Sequence, residues 1–242
     1  MKFWHYLIFV AAVLMLVVSF FLPNAVASVT DAGRLDNLTM IDSKSISFES
    51  ARELALAERI ALIANLDTEI LPLKTGNVMD LEAAKERINP ELEKLFLYSP
   101  FQFDFSGYTV EEGAAELVID DATVPPLSAI VWELVLSDES QNIVIVTLDD
   151  ETGFILKLIY RLGNKDNSLI EQGRGTMDER YYSIARSLTE MMRKYYNLPI
   201  TLADYQFSSS IAYYKATIYG GGRAIPMFGA VRATSFTLNE RV

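Results

Sequence analysis

The chain has 242 residues, of which 50% are hydrophobic, and it carries a net charge of -11 at neutral pH. This acidic balance argues against nucleic-acid binding, because phosphate backbones are bound by clusters of Lys and Arg. The chain contains no cysteine, so disulfides and cysteine nucleophiles are excluded. Its stability must therefore come from burial, and its length suffices for one sizeable core or two small ones.

An uncharged apolar run near the N-terminus predicts insertion into a membrane. Residues 7–22 carry no charge, and with the residues before them they are long enough to span the hydrocarbon core as a helix. Lys2 precedes the run and all 32 acidic residues follow it, so we expect a single-pass protein with its N-terminus inside and its domain outside. The Ala-Val-Ala triplet that ends at Ala27 is typical of a signal-peptidase site. Secretion after cleavage between Ala27 and Ser28 is therefore the alternative.

The rest of the chain divides into segments of different composition. We expect residues 1–27 to form the membrane anchor or signal peptide, and the polar residues 28–47 to form a spacer. Residues 48–162 and 176–242 are predicted to form α+β structure on either side of a polar, glycine-containing connector. The connector is the best candidate for an internal boundary. The alternative is that both parts belong to one domain.

Helical and strand periodicities can be placed along both parts. The spacing of apolar residues predicts helices at residues 48–65, 80–97 and 176–197. We expect the second helix to restart at Asn89-Pro90 and the third to begin with a capping box at Thr176. Apolar runs bounded by turn residues predict strands at 101–105, 117–119, 130–136, 143–148, 154–160, 200–207, 211–219 and 224–238. Helices followed by runs of strands indicate an α+β fold with antiparallel sheets and packed helices.

The segment 131–160 resembles the strand-rich half of a PepSY-type domain. The likeness is carried by Trp132 at the start of a strand, an apolar run into Asp149, and a turn with Thr152 and Gly153 before a second apolar run. Asp and Thr side chains cap tight turns, and glycine accepts the positive φ that a bulged hairpin requires. The resemblance implies an extracytoplasmic interaction or regulatory module, associated in that family with peptidases or membrane-bound signalling and sporulation proteins. It implies no catalytic residue.

Most catalytic and metal chemistries are disfavoured by the residues themselves. The only histidine, His5, lies beside the apolar run, so no histidine-based triad or zinc site is expected in the outer domain. Asp149, Asp150 and Glu151 offer oxygen ligands for Ca²⁺, but they lack the alternating spacing of a calcium-binding loop. We therefore expect no catalytic residue, no metal and no cofactor. At this turn we expect Gly153→Val to be destabilising and Asp150→Asn to matter much less.

Two tyrosines of the third predicted helix, Tyr182 and Tyr196, are placed by helical spacing at the edge of its apolar stripe. They are the better candidates for an exposed surface, and the alternative is that they belong to the core. Together with Trp132, Thr152 and Gly153 of the PepSY-like hairpin, they are the candidate binding residues.

The sequence thus predicts a membrane-associated, extracytoplasmic binding or regulatory module of a bacterial envelope, without enzymatic activity. Its expected partners are the membrane, through the N-terminal helix, and an envelope protein or peptide. Two alternatives remain at this point. One is a cell-wall or peptide hydrolase that uses carboxylates, and the other is a structural subunit of an envelope complex.

Overall fold

The structure is a computed structural model, and it describes residues 54–99, 101, 103–163, 168–170, 175–220 and 222–240. All of these residues belong to one compact unit, Ile41–Val242. The described helices are α1 (Leu56–Ala64), α2 (Leu81–Phe96) and α3 (Met177–Tyr196). The described strands are β1 (Glu69–Leu73), β2 (Thr109–Asp120), β3 (Leu127–Ser137), β4 (Ile143–Asp149), β5 (Ile155–Arg161), β6 (Ile200–Ser208), β7 (Ile211–Gly220), β8 (Arg223–Arg232) and β9 (Ser235–Leu238).

The strands form a single antiparallel sheet in the order β1-β2-β3-β4-β5-β9-β8-β7-β6. The predicted α+β class with antiparallel pairing is therefore confirmed. Each half of the sheet follows one helix, since α2 leads into the meander β2–β5 and α3 leads into the meander β6–β9. The two meanders meet where β5 pairs with β9, and they run outward from that contact in opposite directions. The predicted connector thus joins two halves of one sheet.

Helices α2 and α3 contact each other and cover one face of the sheet. On this helix face, Phe96 of α2 packs against Phe236 of β9, and Tyr181 of α3 packs against Phe207 of β6. Side chains alternate between the two faces of a strand, and β7 shows this directly. Its buried residues on the helix face are Ala212, Tyr214, Ala216 and Ile218. The residues between them point to the opposite face, which we call the open face.

Helix α1 lies at the end of the sheet where β4 ends and β5 begins. The side-chain amide of Asn239 donates to the carbonyl groups of Ile60 in α1 and Leu156 in β5, at 2.9 Å each. Gly220, the last residue of β7, approaches Ala57 so closely that an added Cβ would lie 2.7 Å from the Ala57 methyl carbon. This end of the sheet is therefore closed by α1.

The structure confirms the local signals that predicted α3. Thr176 is the N-cap, and its hydroxyl accepts from the Glu179 N–H at 3.3 Å while the Glu179 carboxylate accepts from the Thr176 N–H at 2.8 Å. These two bonds form the expected capping box, and they lower the pKa of Glu179. Asn197 ends the helix in a left-handed conformation, two residues before Pro199.

Three expectations about individual elements are wrong, and one strand was missed. Helix α2 does not restart at Asn89-Pro90, because the apolar stripe around Ile88 and Leu92 continues through the proline. The described residues of 101–105 form no strand, and their phenylalanines instead pack in the core beside Phe96. The segment 224–238 is two strands, β8 and β9. Strand β1 was not predicted.

Candidate functional site

The turn between β4 and β5 is built around one glycine and one buried aspartate. Gly153 has a φ of +71°, so the expected positive φ is confirmed, and its N–H donates to the Asp149 carbonyl at 2.9 Å. The Asp149 side chain accepts from both the N–H and the hydroxyl of Thr152. Thr152 therefore caps the turn from within, and the resemblance-based candidates Thr152 and Gly153 have a clear structural role.

Arg59 of α1 connects this turn to the helix. Its guanidinium pairs with Asp149 at 3.0 Å and with Glu151, and its Nε donates to the Leu54 carbonyl at 3.1 Å. The side chains of Arg59 and Asp149 are 5% and 0% exposed, whereas Glu151 is half-exposed. Removing one partner of such a buried pair leaves an uncompensated charge, so the pair fixes α1 to the sheet end.

Asp150 is clamped by four hydrogen-bond donors. One carboxylate oxygen accepts from the N–H groups of Asn77 and Val78, both at 2.8 Å. The other accepts from the Met79 N–H and from the Trp132 indole, both at 3.0 Å. Asp150 is 2% exposed, so the loop before α2, the turn and strand β3 are held together at one buried carboxylate.

The acidic turn, defined as residues 149–153 with Arg59, does not have the geometry of a metal site. Both oxygens of Asp149 and of Asp150 already accept from protein donors. Among the described residues there is no group of three or more His, Cys, Asp or Glu that is placed to hold a metal ion. A cavity of about 290 Å³ lies beside the turn, lined in part by Arg59, Val78 and Glu151.

The candidate binding residues predicted from the sequence lie at separate positions in the fold. Trp132 is 2% exposed and its indole is committed to Asp150, so it is a core residue and not a surface contact. Tyr182 is 45% exposed on α3, as expected. Tyr196 is 6% exposed, so the prediction of an exposed Tyr196 is wrong. It lies 15 positions after the buried Tyr181, about 60° round the helix at 100° per residue, which is still within the buried stripe.

The two tyrosines at the end of α3 fix the start of β5. The Tyr196 hydroxyl donates to the Ile155 carbonyl at 2.6 Å. The Tyr195 hydroxyl accepts from the Ile155 N–H and donates to the buried carboxylate of Glu91 in α2, both at 3.0 Å. Burial raises the pKa of both Tyr195 and Tyr196 well above the ordinary value for tyrosine. These contacts explain why the pair belongs to the core.

The open face carries an uncharged row of side chains that crosses seven strands. Residues that are directly opposite in neighbouring strands share a face, so the register defines the row. Its members are Val135, Ile145, Ile159, Thr237, Ala230, Tyr213 and Gln206. Thr237 and Ala230 are buried, and the next position in register, on β2, is the charged Glu112. Six strand spacings of about 4.8 Å give the row a length of about 29 Å. We call it the central row.

Two further rows flank the central row, each two residues away along the strands. The first flanking row contains Arg161 and Arg232, which lie on either side of Ser235. The second contains Lys157 in β5 and Lys215 in β7, with Glu133 and Asp204 towards its two ends. The central row is thus bordered on both sides by cations.

A cavity of about 390 Å³ lies at the β6–β8 side of the open face. Its aromatic lining includes Tyr213, which is 50% exposed, and Phe228. The Lys215 ammonium lies 5.8 Å from the centre of the Phe228 ring, and Arg232, Asp204 and Glu240 complete the charged part of the lining. Aromatic area beside unlike charges is typical of a surface that binds a partner with both apolar and charged groups.

Comparisons with protein-family models, with curated proteins and with solved structures gave no match. Within the part of the chain that the structure describes, no helix is long and apolar enough to cross a membrane. The predicted anchor, residues 7–22, lies outside that part. The candidate surface is therefore defined by the geometry of this chain alone.

Proposed function

We propose that the protein is a non-enzymatic binding or regulatory module of a bacterial envelope, and that it binds its partner through the open face. One observation carries the proposal. On the sheet face opposite α2 and α3, five of the seven uncharged central-row residues are partly or fully exposed, and charged side chains border the row. Uncharged contact area with a charged rim is the usual composition of a protein interface.

The acidic turn supports the non-enzymatic part of the proposal. A general base or nucleophile needs a carboxylate with an accessible oxygen near a substrate pocket. Asp149 and Asp150 are buried, and donors from α1, the loop before α2 and β3 occupy their oxygens. Their role in this proposal is to hold the sheet end together. The function then belongs to the surface and not to these acids.

The sequence supports the location. The apolar run at residues 7–22 and the charge asymmetry around it favour an anchored domain outside the membrane, with secretion after Ala27 as the alternative. The likeness of 131–160 to a PepSY-type domain favours an interaction module. The partner is then an envelope protein or peptide, met on the outer side.

Site-specific photo-crosslinking tests the proposal with a matched pair of tyrosines. Tyr213 on the open face and Tyr182 on the helix side are 50% and 45% exposed, so they are equally accessible to solvent. We would replace each in turn by a benzophenone amino acid in the full chain, irradiate intact cells and identify the products by mass spectrometry. The proposal expects a discrete adduct from position 213 and none of the same mass from position 182.

Three outcomes would contradict the proposal. Adducts from position 182 alone would place the interface on the helix side. Full protection of the outer domain from protease added to protoplasts would contradict the topology. Turnover of peptidoglycan or a peptide that is abolished by substitution of one Asp or Glu, with the fold intact, would establish the hydrolase alternative.

A further inference from the structure

The cations on the open face are paired with acidic residues less often than the cations on the helices. On α2 and α3, five of the seven Lys and Arg residues have a glutamate within ion-pair distance on the same helix: Lys85, Arg87, Lys94, Arg193 and Lys194. Arg180 and Arg186 of α3 have no ion pair with a described residue. Arg161, Arg232 and Lys157 have no ion pair or side-chain hydrogen bond to any residue that the structure describes. Within the described residues, a chain with a net charge of -11 therefore presents positive charge without an ion pair near the middle of one face.

Register gives the spacing of these charges. Arg161 and Arg232 are separated by two strand spacings, about 10 Å, along the first flanking row. Lys157 stands on the same strand as Arg161 and four residues away, about 13 Å across the central row. Glu133 and Asp204 lie on strands further out, and Glu240, which accepts from the Thr237 hydroxyl at 2.8 Å, is the one described acid bonded to a central-row side chain. The cations Arg161, Arg232, Lys157 and Lys215 outnumber it, so the central part of the face keeps an excess of positive charge.

These dimensions match a helix and not an extended strand. The flanking rows are about 13 Å apart, close to the 10–12 Å diameter of an α-helix with its side chains. The central row, about 29 Å long, equals the length of a helix of about 19 residues. The backbone groups under the face are engaged in the sheet ladders, so an extended peptide would find few partners for its own N–H and C=O groups there. A helix satisfies its backbone internally.

We infer that the open face binds an amphipathic α-helix with an acidic border, supplied by a partner protein. Its apolar stripe would lie along the central row, with Tyr213 and Ile159 beneath it. Carboxylates on one side would meet Arg161 and Arg232, and those on the other side would meet Lys157 and Lys215. This inference rests on the proposed function, which it deepens by naming the class of partner.

A pair of synthetic helices tests the charge and shape requirement. The probes are two 19-residue peptides with the same apolar stripe, one with Glu and one with Lys at the border positions. Binding to the full chain in uncharged nanodiscs would be measured by fluorescence anisotropy at low and high salt. We expect at least tenfold tighter binding of the Glu peptide, weakened at high salt because the contacts are ionic.

Charge reversal at the face provides the control. The double variant Arg161→Glu, Arg232→Glu should lose at least tenfold in affinity for the Glu peptide. Reversal of the exposed Arg186 on α3 should change the affinity less than twofold. Circular dichroism of both variants would show that the fold is retained, and Lys157→Gln gives a milder test if the double variant fails to fold.

The outcomes separate this inference from the proposed function. Equal binding of the two peptides, no binding of either, or an unchanged affinity of the double variant would overturn the acidic-helix inference. If the benzophenone at position 213 still captures a protein, the binding module stands and only the partner class is wrong. Adducts of the chain with itself, or with lipid, would also overturn the inference.

Discussion

Replacing Asp150 by Asn removes an acceptor from the most densely hydrogen-bonded side chain of the acidic turn. Asn can keep one carbonyl oxygen facing two of the four donors, but its NH₂ group then faces the other two. A hydrogen bond to a charged acceptor contributes about 1.5–3 kcal/mol, so the loss of two gives about 3–6 kcal/mol. Relief of repulsion from Asp149 and Glu151 offsets part of this, and we expect a cost of about 3 kcal/mol.

Urea unfolding measures this cost with a local probe. Trp132 donates its indole N–H to Asp150, and a Trp4→Phe background leaves it as the only tryptophan of the chain. The purified chain would be unfolded in a mild non-ionic detergent while Trp132 fluorescence is followed. With a slope of about 2 kcal/mol per molar urea, the expected loss lowers the midpoint by about 1.5 M.

The control variant is Glu151→Gln. The Glu151 side chain is half-exposed, and Arg59 keeps its buried partner Asp149 when Glu151 is neutralised. Exposed pairs contribute about 0–1 kcal/mol, so this variant should unfold close to the parent. A midpoint for Asp150→Asn as close to the parent as that of Glu151→Gln would refute the reasoning, and it would restore the expectation from sequence that Asp150→Asn matters little.

Three further outcomes are expected. Burial raises the pKa of Tyr196 and Tyr214, so both stay protonated in the folded protein above pH about 10, where the tyrosines of the unfolded chain ionise. Their contribution to stability is therefore full below that pH, and the free energy of unfolding should fall by up to about 1.4 kcal/mol per pH unit for each tyrosine as the pH rises. Tyr→Phe variants should reduce this slope in thermal melts at alkaline pH. Leu188→Ala, at a fully buried position of α3, should lower the free energy of unfolding by about 2–5 kcal/mol, measured by urea unfolding. Equal urea midpoints for this variant and for Ser183→Ala, at an exposed position of the same helix, would contradict the assigned helix face. Gly153→Val should lower the free energy of unfolding by about 1 kcal/mol or more, because φ is +71° and the new Cβ would lie 2.9 Å from Nε of Arg87. An unchanged urea midpoint would contradict the turn geometry.

Features that depend on neighbouring residues were predicted well from sequence. The capping box of α3 needs only Thr176 and the glutamate three residues later, and the positive φ of Gly153 follows from the turn around it. Strands β3, β4 and β5 were also predicted, because their apolar runs end at clear turn residues, whereas only residues 117–119 of β2 were predicted. Where a local pattern had two physical solutions, as for the phenylalanines of 101–105, the prediction was wrong. Their rings are buried by packing among other rings and not by strand pairing.

The candidate surface and the acidic turn depend on contacts between distant residues. Arg59 reaches Asp149 across 90 positions, and the donors to Asp150 from the loop before α2 lie 71 to 73 positions away. Nothing in the local sequence marks these partners. Arg161 and Arg232 share a row only because β5 pairs with β9, so each alone has the pattern of an ordinary solvated charge. The alternation of side chains along β5 and β7 could assign each residue to one face of its own strand. It could not show which strands are neighbours in the sheet.

The separation of scaffold from surface leads to a last prediction. The acidic turn holds α1, the loop before α2 and β3 together, while Arg161 and Arg232 lie on the open face and are unpaired within the described ranges. Asp150→Asn should therefore lower the urea midpoint yet leave the affinity of the folded protein for the acidic helix within twofold. The double variant Arg161→Glu, Arg232→Glu should do the reverse, with stability changed by less than about 0.5 kcal/mol and affinity reduced at least tenfold. Stability and affinity that fall together in both variants, measured by urea unfolding and anisotropy on the same preparations, would mean that the turn and the open face form one functional unit.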